Sequence, residues 1–302
     1  MGCPNPALLL SSGCSDYCSN RFFYVGPFLC AVLGRGISSM DDQKMLLSSD
    51  KLLGGRIMFR QPKQGYRVAI DPVLVASAVP ATNKSRVLDL GAGVGAASLC
   101  LIKRVPGCYV DAVELQKDLS DLAKENAKLN GVGGRLVVHT ENILSLSSKF
   151  SQNFDHVMAN PPYLQAARAA DKACQSVSTV EYDAKLPDWV SVAIGALRQK
   201  GSLTFIHRMD RLDELLSLIR ADAGEIVVAP IWPHQGKEAK RVIVRARKGV
   251  STPFRLVSGI TLHRADGTFT TVADAILRKG AAFDLASNEE STGLGGSFSD
   301  DG

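Results

Sequence analysis

The sequence lacks both a long apolar run and a framework of paired cysteines. No apolar stretch reaches the roughly 18 to 20 residues that a membrane helix needs, so we expect no membrane span. Four of the seven cysteines lie in the first 30 residues, and the other three are scattered through the rest of the chain. Such scatter is typical of buried thiols in a reducing compartment and argues against a disulfide-stapled protein. We therefore expect a cytoplasmic location.

The sequence also lacks a large net charge and a metal-binding pattern. The 35 basic and 30 acidic residues leave a net charge of +5, which permits a polyanionic partner without requiring one. Cys14 and Cys18 have neither a second pair nor a histidine at ligand spacing, so we predict no metal site. A chain of 302 residues with 45% apolar and 22% charged residues fits one large α/β domain with additions, or two small domains.

The two ends of the chain lack the patterning of its centre. Residues 1–39 hold small, polar and aromatic side chains with few charges, and we predict a poorly structured extension there. A start codon assigned too far upstream, with initiation at Met40, would also explain this stretch. Residues 286–302 are rich in serine, glycine and acidic residues, and we predict a disordered tail.

Strands and helices alternate through residues 86–285, which we predict to be the main domain. The predicted central strands are 86–90, 109–114, 135–139, 154–159 and 202–207. Such alternation is typical of an α/β fold with a doubly wound, mainly parallel sheet. Two later strands, 225–229 and 241–247, follow each other without a helix, which predicts an antiparallel edge. Ahead of this domain, residues 40–85 are predicted to form a hairpin and one helix, with 65–68 as the second hairpin strand.

A glycine-rich turn, Gly91-Ala92-Gly93-Val94-Gly95, follows the first central strand and opens a helix. Glycines permit positive φ and close approach of a ligand, and the helix N-terminus presents free N–H groups. Glu114 ends the next strand, where an acid can accept hydrogen bonds from two ribose hydroxyls. Together these features predict a cofactor that contains a nucleoside. The pattern Gly91-x-Gly93-x-x-Ala96 also fits a dinucleotide fingerprint, so NAD stays open at this point.

The stretch Asn160-Pro161-Pro162-Tyr163 follows a buried strand, 154–159. Because proline donates no N–H and fixes φ, the strand must end here. In open α/β sheets ligands bind at the carboxyl ends of strands. The asparagine amide and a proline carbonyl can hydrogen-bond a planar polar group, and the tyrosine ring can stack on it. The alternative is an ordinary Pro-Pro turn with a half-buried tyrosine.

Two motifs carry a resemblance to a known class of enzyme. Residues 87–95 resemble the first motif of S-adenosylmethionine-dependent methyltransferases, and Asp89 is part of that resemblance. Residues 160–163 resemble the catalytic motif of methyltransferases that act on exocyclic or amide nitrogens. The resemblance favours S-adenosylmethionine over NAD and implies a Rossmann-like class I fold with a seven-stranded sheet. It implies cofactor-binding roles for Asp89, Gly91, Gly93, Gly95 and Glu114, and catalytic roles for Asn160, Pro161, Pro162 and Tyr163.

Three further stretches narrow the resemblance. The pattern Gly65-Tyr66-Arg67-Val68-x-x-Asp71, residues 138–143 and residues 241–244 are similar to the bacterial tRNA (adenine-N6)-methyltransferases that modify valine tRNA, a group of the small-domain methyltransferase superfamily. The similarity covers roughly residues 50–280. Where such enzymes usually have an aspartate that bonds the cofactor's adenine amino group, this chain has Asn142. We expect Asn142 to bind the cofactor, with Glu141 as the alternative.

The resemblance implies that an adenine N6 amine in tRNA is the acceptor. An exocyclic amine is a poor nucleophile because its lone pair is delocalised into the ring. Asn160 and the Pro161 carbonyl could accept hydrogen bonds from that amine while Tyr163 stacks on the base, so positioning would carry most of the rate. A base within folded RNA must first be splayed out.

Two basic stretches fit an RNA partner. Residues 237–264 contain eight Lys or Arg against one Glu, and Arg56, Arg60, Lys63 and Arg67 form a second stretch. Both could hold a phosphate backbone. A solvated face is the alternative, and the family resemblance favours RNA.

The alternative substrates are a protein glutamine side chain, methylated at N5, and a small-molecule amine. The glutamine enzymes usually carry a helical domain ahead of the catalytic one, and residues 40–85 do not suggest it. A non-enzymatic RNA-binding module is a third interpretation, and the intact motifs count against it.

Overall fold

The computed structural model describes residues 46–146, 150–162, 164–165, 180–181 and 184–285. The predicted extension at 1–39 and the predicted tail at 286–302 lie outside these residues. The described residues form thirteen strands and six α-helices. The strands are β1 Leu47–Leu52, β2 Ile57–Pro62, β3 Arg86–Leu90, β4 Tyr109–Glu114, β5 Leu136–Thr140, β6 Phe154–Ala159, β7 Leu164–Gln165, β8 Val180–Glu181, β9 Leu197–Arg208, β10 Ala223–His234, β11 Arg241–Lys248, β12 Arg255–Leu256 and β13 Ile260–His263. The helices are α1 Asp71–Ala78, α2 Ala96–Arg104, α3 Lys117–Leu129, α4 Leu186–Ala196, α5 Leu212–Ile219 and α6 Thr271–Lys279.

The central sheet has the strand order β12-β10-β11-β9-β6-β3-β4-β5, and β13 also pairs with β10. Strands β3, β4, β5, β6 and β9 are parallel to their neighbours in this set. Strand β11 is antiparallel to both β9 and β10. The predicted α/β fold, with a mainly parallel sheet and an antiparallel edge, is confirmed.

The sheet has nine strands, and the expected count of seven was too low. The additional strands, β12 and β13, both pair in parallel with the outer side of β10. Strand β10 is 12 residues long, and without these partners its outer row of N–H and C=O groups would be an unpaired edge. Two short strands, each covering a different part of β10, satisfy that edge.

Both faces of the sheet are covered, as the alternation of strands and helices predicts. Successive side chains of a strand point to opposite faces. Val87 therefore belongs to the apolar cluster formed with α1 and α2, and its neighbour Leu88 to the cluster formed with α4 and α5. The site residues are carried on the edge between these two layers.

The hairpin in residues 40–85 pairs β1 with β2, from Leu47 opposite Pro62 to Leu52 opposite Ile57. The prediction that residues 65–68 form its second strand is wrong. After β2 the Val68 N–H donates to the Gln61 side-chain oxygen at 2.8 Å, so a side chain rather than a strand ladder holds this segment. Tyr66 therefore lies outside the strand ladder.

Asn126 of α3 ties the hairpin to the glycine-rich turn. Its side-chain oxygen accepts from the Arg60 N–H at 2.7 Å, and its amide nitrogen donates to the carbonyls of Arg60 and Val94, both at 3.0 Å. The side chain is fully buried. Because buried amides are costly unless hydrogen-bonded, these three bonds fix β2 relative to the turn.

Cys100 and Cys108 are buried free thiols. Across the described ranges, no helix is long and apolar enough to cross a membrane. Within the same part of the chain, no group of three or more His, Cys, Asp or Glu side chains is placed to hold a metal ion.

Candidate active site

Four neighbouring strands bring the predicted site residues to one edge of the sheet. Asp89 lies near the end of β3, Glu114 ends β4, Asn142 follows β5 and Asn160 follows β6. The order β5-β4-β3-β6 is parallel throughout, so the carboxyl ends of these strands meet at the same edge. Tyr163 lies outside the described residues.

The glycine-rich turn and Asn160 face each other across one strand spacing. Leu90 of β3 and Ala159 of β6 are register partners. Gly91 and Asn160, the next residues of each strand, therefore start roughly 5 Å apart. Pro161 is buried, and Asn160 and Pro162 are half-buried. A ligand on the turn would thus lie beside the Asn-Pro-Pro segment.

The Glu114 carboxylate connects the turn to the end of β4. One carboxylate oxygen accepts from the Gly93 N–H at 2.8 Å and the other from the Gln116 N–H at 2.8 Å. The residue is only 6% exposed. Burial raises the pKa of Glu114, and the bonds from the backbone oppose that shift. Each carboxylate oxygen retains acceptor capacity, so the group suits a ligand with two neighbouring hydroxyls.

Asp89 is a second buried carboxylate, 3% exposed, behind the same turn. The hydroxyl of Ser98, in the first turn of α2, donates to it at 2.6 Å. Burial raises the pKa of Asp89 to about 7, the bonds from Ser98 oppose the shift, and the negative charge of Glu114 adds to it. Two carboxylates buried this close together favour a positively charged ligand.

Two aromatic side chains line the glycine-rich turn. Gly91 and Gly93 have φ of +70° and +56°, in the left-handed region. A Cβ on Gly93 would lie 2.2 Å from the Tyr66 hydroxyl, and a Cβ on Gly91 would lie 2.5 Å from the Trp189 ring. The third glycine, Gly95, also has positive φ and precedes α2. Any side chain at the first two positions would collide with an aromatic group.

The sequence placed Tyr66 in a strand and so missed its position at the site. Burial raises the pKa of Tyr66 well above its ordinary value, and the charges of Glu114 and Asp89 add to the shift, while a bond from the Val94 backbone opposes it. Tyr66 therefore lies close to both carboxylates. The signal was its place within the family-like pattern Gly65-Tyr66-Arg67-Val68, which was assigned to the hairpin instead.

Trp189 of α4 was also missed. It is 6% exposed, and its indole N–H is buried without a hydrogen-bond partner among the described residues. The edge of the ring that approaches Gly91 is the benzene edge, away from the N–H. Trp189 therefore contributes an apolar wall to the turn. The chain has only two tryptophans, and that scarcity was the available signal.

Asn142 caps a short turn after β5. Its side-chain oxygen accepts from the Leu144 N–H at 3.0 Å, and its carbonyl accepts from the Ser145 hydroxyl at 2.7 Å. The oxygen expected to accept from the cofactor therefore already accepts one bond. The alternative residue, Glu141, is half-buried, and its N–H donates to the Glu114 carbonyl at 3.1 Å. Both candidates therefore lie beside the end of β4.

The chain is similar in sequence to known methyltransferases. Residues 69–210 match the family model described as the methyltransferase small domain. A protein of Aeromonas hydrophila named tRNA1(Val) (adenine(37)-N6)-methyltransferase is 28% identical over 207 residues, which cover 68% of this chain and 85% of that protein. A protein of the same name from Photorhabdus laumondii is 25% identical over 252 residues, covering 76% and 93%.

Among solved structures, the chain is similar to a predicted O-methyltransferase from Agrobacterium tumefaciens. The TM-score is 0.62 at 23% identity, covering 72% of this chain and 100% of that chain. A likeness at this identity concerns the fold alone.

Proposed function

Since the chain is an S-adenosylmethionine-dependent methyltransferase that carries a methyltransferase small domain at residues 69–210, we propose that it methylates the exocyclic N6 amine of an adenine in tRNA. The observation that carries this proposal is the position of Asn160 opposite Gly91 in the β3–β6 register. The names of the two tRNA-modifying relatives support the choice of substrate.

The residues at the turn fit the cofactor. S-adenosylmethionine supplies an activated methyl group when bound. We assign its ribose hydroxyls to Glu114, whose two oxygens are held by backbone N–H groups. The pKa of Asp89 is raised to about 7 by burial, and a cationic cofactor nearby would favour its ionised form. The Gly91–Gly95 turn lets the cofactor approach the backbone, and the ring of Trp189 forms an apolar wall beside Gly91.

The Asn-Pro-Pro segment would hold the acceptor nitrogen. The side-chain oxygen of Asn160 and the Pro161 carbonyl can each accept a hydrogen bond, and the adenine amine has two N–H bonds to donate. Bonds to both would hold the amine with its lone pair directed at the cofactor and reduce delocalisation into the ring. We assign stacking on the base to Tyr163. No covalent enzyme intermediate is needed, because orientation alone lowers the barrier substantially.

A glutamine side chain poses the same chemical problem, so the flanking structure bears on the choice. Residues 46–85 hold the β1–β2 hairpin and α1, and this differs from the helical substrate domain expected of a glutamine methyltransferase. Two basic stretches fit a phosphate backbone. We infer a cytoplasmic location, where the buried thiols of Cys100 and Cys108 stay reduced.

A labelling experiment tests the proposal. The purified protein and labelled S-adenosylmethionine are incubated in parallel with total RNA, DNA and protein from cells that lack the enzyme. We expect label in the tRNA fraction, recovered as N6-methyladenosine after nucleoside digestion, and none with Asn160→Ala. Label confined to protein would establish the glutamine alternative instead, and label at another nucleoside position would overturn the adenine assignment.

A further inference from the structure

A cleft lined by both charged and apolar side chains opens beside the ends of β9 and β10. Its volume is about 660 Å³. Six charged or aromatic residues that line it carry the argument: Arg208, Asp210, Trp232, Glu238, Lys240 and Arg241. They come from the end of β9, the end of β10 and the start of β11. This is the same sheet edge that carries Asn160.

The strand register sets how far the cleft lies from Asn160. Ala159 of β6 pairs with Phe205 of β9, and Arg208 is three residues further along β9. Arg208 in turn pairs with Arg241 of β11. Asn160 is level with Ile206, so Arg208 lies two residues along and one strand spacing across, about 8 Å from Asn160, whereas Trp232 is two strands further across and lies about 17 Å away. A strand of a few nucleotides that carries the splayed-out adenine can span that distance.

Trp232 gives the cleft a fixed aromatic wall. Its indole N–H donates to the Ser258 carbonyl at 3.0 Å, which fixes the ring's orientation. The residue is half-buried, so part of the ring borders the cleft. Every nucleic acid base has a flat face that can stack on such a ring.

The cations of the cleft differ in how firmly they are held. The Arg208 guanidinium donates to Asp210 through Nε at 2.8 Å, and the Arg241 Nε donates to Asp71 at 3.0 Å. Lys240 is held least: its ammonium lies 3.4 Å from the Glu238 carboxylate, and the two side chains are 69% and 90% exposed. Such an exposed pair contributes little and exchanges readily.

We propose that this cleft binds a nucleotide a few positions from the target adenine, with its base on Trp232 and its phosphate on Lys240. The acidic groups at the cleft are Asp210 and Glu238, against the cations Arg208, Lys240 and Arg241. Arg208 and Arg241 are each paired with an aspartate. Lys240, whose contact with Glu238 is loose, is therefore the cation best placed to exchange its partner for a phosphate beside the Trp232 ring. This inference rests on the proposed function, in which tRNA is the substrate, and it adds where one nucleotide of the tRNA binds.

Two substitutions test the cleft, with tRNA affinity measured by filter binding at several salt concentrations. Lys240→Ala is expected to weaken tRNA binding severalfold and to lower the salt slope by about one. Trp232→Ala is expected to weaken binding roughly tenfold, and Trp232→Phe, which keeps a stacking face, to recover most of that loss. S-adenosylmethionine affinity should stay at the wild-type value in all three variants.

Lys128→Ala is the matched control, because Lys128 is an exposed lysine at the end of α3 that does not line the cleft. We expect its tRNA affinity to change less than twofold. If tRNA is methylated at adenine but Lys240→Ala and Trp232→Ala bind it like the wild type, the cleft proposal is wrong and the proposed function stands. If polyglutamate displaces the tRNA as well as free nucleotides do, the cleft binds acidic peptide and the proposal is also overturned. Absence of any tRNA methylation refutes the proposed function itself.

Discussion

The two halves of the sheet edge handle their charges in opposite ways. At the ends of β3 and β4, Asp89 and Glu114 are almost fully buried, and each is held by a hydroxyl or by backbone N–H groups. In the turn between β10 and β11, Lys240 and Glu238 are mostly exposed, and their contact is loose. Buried charges with fixed partners are preorganised for one ligand, whereas exposed pairs can rearrange. We call the ends of β3 and β4 the cofactor half, and the ends of β9 and β10 with the β10–β11 turn and the start of β11 the substrate half. The buried carboxylates of the cofactor half are fixed in place, whereas the exposed Lys240–Glu238 pair of the substrate half can change partners.

Asn160 lies between the halves, so its removal should have the largest effect. We expect Asn160→Ala to lower the single-turnover methylation rate by about 100-fold or more, because a misplaced amine loses the orientation that carries the rate. Cofactor affinity, measured by calorimetry, should change less than about twofold. Equal losses in rate and cofactor affinity would assign Asn160 to the cofactor half instead.

The second largest expected effect is the loss of stability when a glycine of the cofactor half is replaced by alanine. Gly93→Ala would put a Cβ 2.2 Å from the Tyr66 hydroxyl, whereas at Gly236, in the β10–β11 turn, a Cβ meets nothing within 4 Å. Both residues have positive φ, so Gly236→Ala carries only the backbone strain of about 1 kcal/mol. We expect Gly93→Ala to cost roughly 3 kcal/mol of unfolding free energy and most of the cofactor affinity.

Urea unfolding of both glycine variants measures this difference. Adding Tyr66→Ala to Gly93→Ala should recover part of the lost stability, because the colliding ring is removed. Similar losses of unfolding free energy for Gly93→Ala and Gly236→Ala would show that the glycine-rich turn is not closely packed. The two halves would then not differ in packing.

Much of this arrangement could be predicted because its signals are local. Pro161 and Pro162 end β6 at Ala159 as expected, and Glu114 ends β4. By contrast, the alignment of Gly91 with Asn160 depends on β3 and β6 being neighbours, which is a property of the whole topology. Tyr66 was misplaced because the Gln61 side chain, not a strand partner, holds the Val68 backbone.

The substrate half was harder to predict for a similar reason. The strand predicted at 225–229 was too short. In the structure β10 continues to His234, because β11 pairs on one side and β13 on the other. That continuation carries Trp232 to the cleft. The pairing that extends the strand is non-local, and no pattern within residues 225–234 indicates it.

A pH series tests the burial of charge in the cofactor half. The pKa of Asp89 is raised from 3.8 to about 7 on folding. Between these values the folded protein holds a proton that the unfolded chain lacks, so this group's contribution to stability falls as pH rises and is lost above about 7. Relative to Asp89→Asn, which cannot ionise, the wild type should lose about 2 kcal/mol between pH 5 and pH 7.

Chemical unfolding of the cofactor-free protein across this pH range provides the measurement. Ser98→Ala removes a bond that favours the ionised form, so it should move the transition to higher pH. Parallel stability curves for the wild type and Asp89→Asn would mean that Asp89 is not a buried titrating carboxyl.

The smallest expected effect concerns Asn142, the least settled residue of the cofactor half. Asn142→Asp keeps an oxygen for the Leu144 N–H and adds acceptor capacity, so cofactor affinity should rise a few-fold at neutral pH. Asn142→Ala should lower it slightly, because the cap is lost. If Glu141 makes the contact instead, Glu141→Gln will lower affinity and Asn142→Asp will leave it unchanged. Calorimetric titration of S-adenosylmethionine into Asn142→Asp, Asn142→Ala and Glu141→Gln distinguishes the two residues. If the cofactor half is preorganised, substitution at only one of the two positions should change the cofactor affinity.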